Sequence, residues 1–375
     1  MKKENIDARY SYSQKYIASP ANFIEEIKNK TVIPHQVEIQ PGPKSTKELC
    51  WLKCPYCYGL SAEHSPNRLE LGRYLELLDQ ISEGGVKKII FAGYATDPLN
   101  SPFIDQLAHR TLENKSIIGF HTKAIKVSED LRKVLCSDSL QEKSYFSVSV
   151  DSGNNESYNI VHGVPNSKAN LYDKVLKNIK LIAENRSKKS PIDLSVTYLI
   201  NEFNSSEDEV KKFIEDYISA GVDMIRFTFP QVPRHISLDE NNTGFVLDHI
   251  QVKNYYDKLN SLIKSYDSEN CRVLILDLDA DFDIQEKTRT LPCFARYIFP
   301  TIAYDGSLAH CSESGAPNLQ SLQIGSLIER DFWDLFYSYD GENFIAPSST
   351  FEKAGCKCDR KEHVTNSLMA NYLLN

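Results

Sequence analysis

No stretch of eighteen apolar residues occurs in the chain, which leaves no candidate for a membrane-spanning helix. The opening residues, MKKENIDARYSYSQKY, contain no apolar core segment and do not read as a secretory signal. Basic residues are in deficit: 43 Lys and Arg against 51 Asp and Glu leave a net charge of −8. That balance disfavours a partner gripped through a phosphate backbone, and so disfavours nucleic acid. No internal repeat or low-complexity tract stands out. What remains is ordinary for a globular protein: 41% hydrophobic and 25% charged residues over a length of 375. That length suits one large α/β domain plus a smaller one.

Nine cysteines without a signal segment point to a reduced, cytoplasmic chain whose thiols bind metal. Seven fall into two spaced groups. Cys136 and Cys271 stand alone and read as small buried hydrophobes. The first group is Cys50-x-x-x-Cys54-x-x-Cys57, with the aromatic Tyr56 before its last thiol and Tyr58 after it. Three thiolates fill three corners of a cubane [4Fe–4S] cluster and leave the fourth iron open to a ligand. The blander reading is half a zinc site or buried structural cysteines. A zinc site needs a second ligand pair some twelve to twenty residues on, as a rule. After Cys57 come only His64 and then His109, with no second cysteine pair nearby.

From residue 69 helical and strand-like periods alternate, the pattern of βα units around a parallel sheet. Leu71, Tyr74, Leu75, Leu78 and Ile81 share a helix face that Gly84-Gly85 closes. Helices follow at 101–113, 128–137 and 172–183, and Ser206 with Glu209 predicts a capping box opening 207–219. Strands are expected at 36–41, 87–93, 116–123, 145–150, 193–200 and 223–229, six in all. Periodicity alone does not choose between an open doubly wound sheet and a curved partial barrel. The stretch 230–248 reads as a hinge or substrate-facing loop, followed by a helix near 251–266 and a strand at 271–279.

The first cysteine group resembles the cluster motif of the radical S-adenosylmethionine (radical SAM) enzymes. The resemblance implies a (β/α)₆ partial TIM barrel with the cluster on the loop after the first strand, where Cys50–Cys57 falls. It also implies that S-adenosylmethionine chelates the open iron. Active sites on such sheets gather at the carboxyl ends of the strands. There, Phe91-Ala-Gly-Tyr-Ala-Thr-Asp97-Pro98 stands where the family carries Gly-Gly-Glu-Pro. Gly93 keeps the close-approach glycine, Tyr94 replaces the second, and Asp97 takes the carboxylate place or merely starts a turn. Ser149 and Asp151 in SVSVDSG are similar to the family's S-x-D-G strand end, which contacts the cofactor. Asn159-Ile-Val-His-Gly163 resembles a segment normally ending Arg-Gly, with His162 in the Arg place. Thr122, Asn201 and Arg226 end their own strands and are candidates for the cofactor or for backbone groups. Tyr56 is expected beside the adenine.

The second group is Cys293, twelve residues to Gly306, four more to Cys311, then Cys356-Lys-Cys358. Asp305-Gly306 between apolar stretches predicts a β-hairpin flanked by Cys293 and Cys311. The block resembles the twitch or SPASM extension of radical SAM enzymes, as do Ile324-Gly325-Ser326 and the following Phe332, Trp333 and Leu335. The full SPASM run of later cysteines is absent, and C-x-C replaces the usual C-x₂-C, which favours a twitch domain with one auxiliary cluster. Cys293, Cys311, Cys356 and Cys358 would then close a second [4Fe–4S] cluster, and the same four around Zn²⁺ is the alternative. The expected organisation is an N-terminal extension over 1–34, the core over 35–230 and a connecting segment over 231–288. A small C-terminal β-hairpin plus helix auxiliary domain over 289–361 and a terminal helix over 362–375 complete it.

Asp277, Asp279, Asp281 and Asp283 mimic a calcium loop, but Phe282 stands where such a loop needs glycine, so an edge strand with a charged face fits better. The resemblance implies an external electron donor such as flavodoxin or ferredoxin. It also implies a deoxyadenosyl radical and a substrate oxidised at an unactivated C–H bond. Two substrate classes stay open: a peptide or protein undergoing maturation, and a small sugar, aminocyclitol or nucleoside. Peptide maturases often carry an N-terminal winged helix, and the 49 residues before Cys50 are too few for one. A zinc-binding interaction protein is the non-catalytic alternative.

Overall fold

The computed structural model describes residues 16–43, 49–57, 65–94, 96–165, 169–187, 190–230, 244–276, 291–315, 322–340, 343–345, Cys356, Cys358 and 360–374. Tyr58, His64, the heart of the 230–248 loop and the Asp277 to Asp283 run lie outside the described residues.

Seven parallel strands form the body of the sheet: β1 (Val37–Ile39), β2 (Lys88–Phe91), β3 (Ile117–Thr122), β4 (Tyr145–Ser149), β5 (Asp193–Leu199), β6 (Met224–Thr228) and β7 (Arg272–Ile275). Each pairs with the next, so the sheet follows chain order, as repeated βα units require. The central strands β4 and β5 are buried almost without interruption, from Tyr145 to Val148 and from Asp193 to Tyr198. Strands covered on both faces show this run in place of strict alternation. The expectation of six parallel strands is exceeded by two, because Arg272–Ile275 continues the series beyond β6 and Thr301–Ile302 adds a parallel strand on the other side of β1.

The helices are α1 (Pro20–Lys28), α2 (Leu71–Glu83), α3 (Ile104–Glu113), α4 (Glu129–Leu135), α5 (Asn155–Val161), α6 (Leu171–Asn185), α7 (Glu207–Ser219) and α8 (His249–Ser265). In α2 the buried stripe is Tyr74, Leu77, Leu78 and Ile81, with Leu71 and Leu75 partly buried against the core beside it. In α7 it is Val210, Phe213, Ile214 and Tyr217, as the sequence pattern predicts. The Ser206 hydroxyl caps α7 by accepting from the Glu209 amide at 3.3 Å. The reciprocal half of the capping box is missing. Glu209 turns its carboxylate across the fold, accepting from the Gly153 amide at 2.9 Å and from the Ser157 hydroxyl.

The predicted hairpin is β8 (Thr301–Ile302) and β9 (Ser307–Ala309), turned by Asp305 and by Gly306 at φ +85°. It does not stand apart. β8 pairs parallel with β1, β9 antiparallel with β8, and β10 (Gln323–Ser326) antiparallel with β9, so ten described strands make one sheet. Ile324-Gly325-Ser326 is thereby the outermost strand. α9 (Phe332–Phe336) then packs on the end of α2: the Trp333 indole donates to the Gln80 carbonyl at 2.8 Å. The chain ends in α10 (Arg360–Leu374). Among the described residues no helix is long and apolar enough to cross a membrane.

Candidate active site

The loop that leaves β1 carries Cys50, Cys54 and Cys57, and it is clamped from the far side of the sheet. The Lys53 amide donates to the His162 carbonyl at 2.9 Å, and the Cys54 Sγ lies 3.3 Å from His162 Nδ1. Gly163, at φ +55°, lets the two backbones meet; a Cβ there would stand 2.3 Å from the Lys53 carbonyl oxygen. This is the work of the Asn159–Gly163 segment. His162 is wholly buried, and its Nε2 donates to the Val150 carbonyl at 2.9 Å, which leaves Nδ1 as the acceptor facing Cys54 and the Tyr56 hydroxyl. Burial, reinforced by the Lys123 charge, pulls the imidazole down to about 3, so it is neutral.

Beside the thiols lies a buried charge pair. Lys123 Nζ meets Asp151 Oδ2 at 2.7 Å, with the carboxylate wholly buried. Burial works against the Lys123 ammonium, but Asp151 and Cys54 outweigh it and the group is raised. Asp151 sits at φ +59° just past β4, held by the Leu199 amide on Oδ1 at 2.9 Å and by Asn204, whose amide donates to the Asp151 carbonyl at 2.8 Å. The Tyr56 hydroxyl reaches Asp151 Oδ2 at 3.2 Å, so its phenol points inward at the pair. Burial first, then the Asp151 charge, pushes that phenol up.

Asp97 caps the short turn Pro98–Asn100. Its carboxylate accepts from the Leu99 amide at 2.9 Å, the Thr122 hydroxyl at 2.8 Å and the Lys123 amide at 2.5 Å. Burial raises its pKa against these donors. Gly93 is required by its own turn, since a Cβ would lie 2.1 Å from the Thr96 carbonyl oxygen. Tyr94 is buried beside it. Ser149 ends β4 opposite Thr197, and the Arg226 guanidinium on β6 donates to the Thr197 hydroxyl at 3.3 Å. Asn201 is fully buried and satisfies backbone: its Oδ1 accepts from the Phe203 amide at 3.0 Å and its amide donates to the Leu199 carbonyl at 3.2 Å.

The fold thus draws Cys50, Cys54, Tyr56, Asp97 and Asp151 to the carboxyl ends of β1 to β4. Cys50, Trp51, Asp97 and Lys123 line one small cavity there. Lys123 and Asn204 escaped the reading of the sequence; their one signal is position, Lys123 directly after β3 and Asn204 in the turn that follows β5. Burial pushes the Cys54 thiol up to about 12 and raises that of Cys50, while the Lys123 charge opposes both shifts. Among the described residues no three His, Cys, Asp or Glu side chains converge on a single ion.

The second thiol group is carried by the chain flanking the β8–β9 hairpin and by the segment just before α10. Cys293, Cys311 and Cys356 are buried and Cys358 half-buried. Asn366 on α10 joins two of these segments, accepting from the Phe294 amide at 2.7 Å and donating to Cys358 Sγ at 3.5 Å. The Ser314 hydroxyl donates toward Cys311 Sγ at 3.6 Å. The Gln40 amide, just past β1, reaches the Ser312 carbonyl at 3.2 Å, so this group adjoins the strand that leads into the first.

Comparison with known proteins agrees with this fold. The fold is similar to that of Streptococcus suis SuiB bound to S-adenosylmethionine, with TM-score 0.59 and 16% identity over 85% of this chain and 69% of that one. SuiB bound to the precursor peptide SuiA gives 0.58 and 17%, over 85% and 68%. The structure of anSMEcpe with bound AdoMet and Cp18Cys peptide gives 0.56 and 15%, over 88% and 85%. At such identities the likeness is one of fold. No curated protein matches the chain. Residues 45–217 match the model of the Radical SAM superfamily. That stretch opens on the clamped thiol loop and runs through β2 to β5 into α7, and it is this part of the chain that matches the radical SAM superfamily.

Proposed function

We propose that this radical SAM enzyme matures a peptide or protein, oxidising or crosslinking it at an unactivated C–H position. The carrying observation is the Cys50–Cys57 loop held over the carboxyl ends of the strands by His162 and Gly163, with the Lys123–Asp151 pair beside it. The donor set fits a [4Fe–4S] cluster: three thiols on one loop, two of them kept protonated by burial until a metal displaces the protons, and a cation alongside to offset the thiolate charge. When bound, the cluster and S-adenosylmethionine supply one-electron cleavage of the sulfonium to methionine and a 5′-deoxyadenosyl radical, which takes hydrogen from the substrate.

The chain's own residues orient and shield. Asp151, tied down through Leu199, Asn204 and Lys123, offers a fixed carboxylate near the thiols, and Tyr56, Tyr94, Ser149 and Arg226 would border the cofactor. Asp97, its oxygens occupied by protein donors, and Asn201, turned to backbone, would shape that border without touching the cofactor. Gly93 does the same by closing its turn. Cys293, Cys311, Cys356 and Cys358 would hold an auxiliary [4Fe–4S] cluster that accepts one electron from the substrate radical; an external donor such as flavodoxin or ferredoxin would reduce the first. The peptide class draws support from the similar folds of SuiB and anSMEcpe, each solved with a peptide bound.

Anaerobic reconstitution tests the reading. Loading with about eight irons per chain, two clusters' worth, and 5′-deoxyadenosine release that rises with a peptide substrate are expected. Zinc in place of iron overturns the enzyme reading of the thiols. Release stimulated by sugars or aminocyclitols and by no peptide overturns the substrate class.

A further inference from the structure

Arg296 is a buried cation with no carboxylate beside it among the described residues. It stands in the one-turn helix Ala295–Tyr297 that follows Cys293 and is 8% exposed. One guanidinium nitrogen donates to the Phe336 carbonyl at 2.8 Å. The planar group lies over the rings of Tyr297, at 5.1 Å, and Tyr339, at 5.3 Å. Its Nε is buried and meets no acceptor. A guanidinium taken out of water is costly unless negative charge accompanies it.

The two phenols do not supply that charge. Burial raises both, Tyr339 to about 12, and each donates its proton to a backbone carbonyl, Tyr297 to Phe344 and Tyr339 to Ile27. Among the described residues the further acid whose charge would act on the guanidinium is Cys293, three residues before it in the chain and 1% exposed. A neutral thiol would leave the cation uncompensated. A thiolate within a cluster of net negative charge would not.

We propose that Arg296 is the fixed counter-charge of an anionic iron–sulfur group held by Cys293, and that its charge raises the reduction potential of that group. The inference rests on the reading of Cys293, Cys311, Cys356 and Cys358 as ligands of the auxiliary cluster. The electron concerned is balanced within the proposed reaction: the substrate radical loses it, the cluster gains it, and a proton leaves the substrate. Reduction adds negative charge beside the guanidinium, so the cation stabilises the reduced form more than the oxidised one. Arg296 acts through the cluster and touches no substrate.

The test is a potentiometric titration of the reconstituted holoenzyme, followed by electron paramagnetic resonance with dithionite as reductant and no substrate. Wild type is compared with Arg296→Met and Arg296→Lys. Arg296→Met should lower one of the two cluster couples by about tenfold in its equilibrium, or about 59 mV for one electron, and leave the other in place. Arg296→Lys should restore most of that shift. Should Arg296→Met fold but lose about four irons while Arg296→Lys keeps them, the pairing is likewise supported. Unchanged couples in a fully loaded Arg296→Met overturn it, and so does equal loss of iron from both variants, which would make the role one of packing. Wild type with a single cluster overturns the auxiliary-cluster reading itself, whatever the variants do.

Discussion

At the scale of single residues, the site depends on positions whose chemistry is modest and whose place is exacting. Gly163 has no reactive atom, yet only a residue without Cβ fits at φ +55° against the Lys53 carbonyl. Gly163→Ala is expected to cost about 1–3 kcal/mol in backbone strain, read as a lower urea midpoint. Because the strain falls on the cysteine loop, on the proposed function the variant should also retain less iron at Cys50, Cys54 and Cys57 than at the second thiol group. The glycine was visible in the sequence as the end of a family-like segment, but its partner was not. Lys53 lies over a hundred residues away, and no periodicity links the two. The same holds for Lys123, which reads as an ordinary strand-end lysine until the fold brings Asp151 to it.

At the scale of elements, periodicity identified most of the helices and strands, because each must present one apolar stripe or run to the sheet. It was less informative about what covers the other side. Gly84 looks like a helix stop, and the left-handed residue of that stop is Gly85 at φ +100°. Gly84 serves a different purpose: a Cβ there would stand 2.1 Å from the Trp333 ring, so the glycine admits α9 onto the end of α2. Gly84→Ala should therefore destabilise the chain by about 1–3 kcal/mol through overpacking. The loss should appear as a red shift of Trp333 fluorescence in a Trp51→Phe background, the only other tryptophan being Trp51. Glu209 gives the same lesson. A local rule assigns it to the cap of α7, and the fold uses it instead to hold Gly153 and Ser157 after β4.

At the scale of the whole molecule, one sheet carries both thiol groups, through β8 seated on the free edge of β1. On the proposed function, the two groups should fail differently. Replacing Cys50, Cys54 and Cys57 together by Ala should abolish 5′-deoxyadenosine release. Replacing Cys293 and Cys311 by Ser should leave release measurable but drop product formed per deoxyadenosine at least tenfold, as judged by mass spectrometry of the peptide. Equal loss of both readouts in the second variant would remove the separate electron-accepting role. The sequence by itself determined the chemistry on offer: two sets of spaced thiols, the βα order, and the carriage of the first set on the loop after β1. These are properties of neighbours along the chain, where spacing and period are sufficient. Tertiary structure alone decided that His162 clamps Cys54, that Asp151 pairs with Lys123, and that the hairpin extends the β1 edge. Each of these joins residues far apart in sequence, and such contacts are chosen by packing and by the need to satisfy buried polar groups, which no local pattern records.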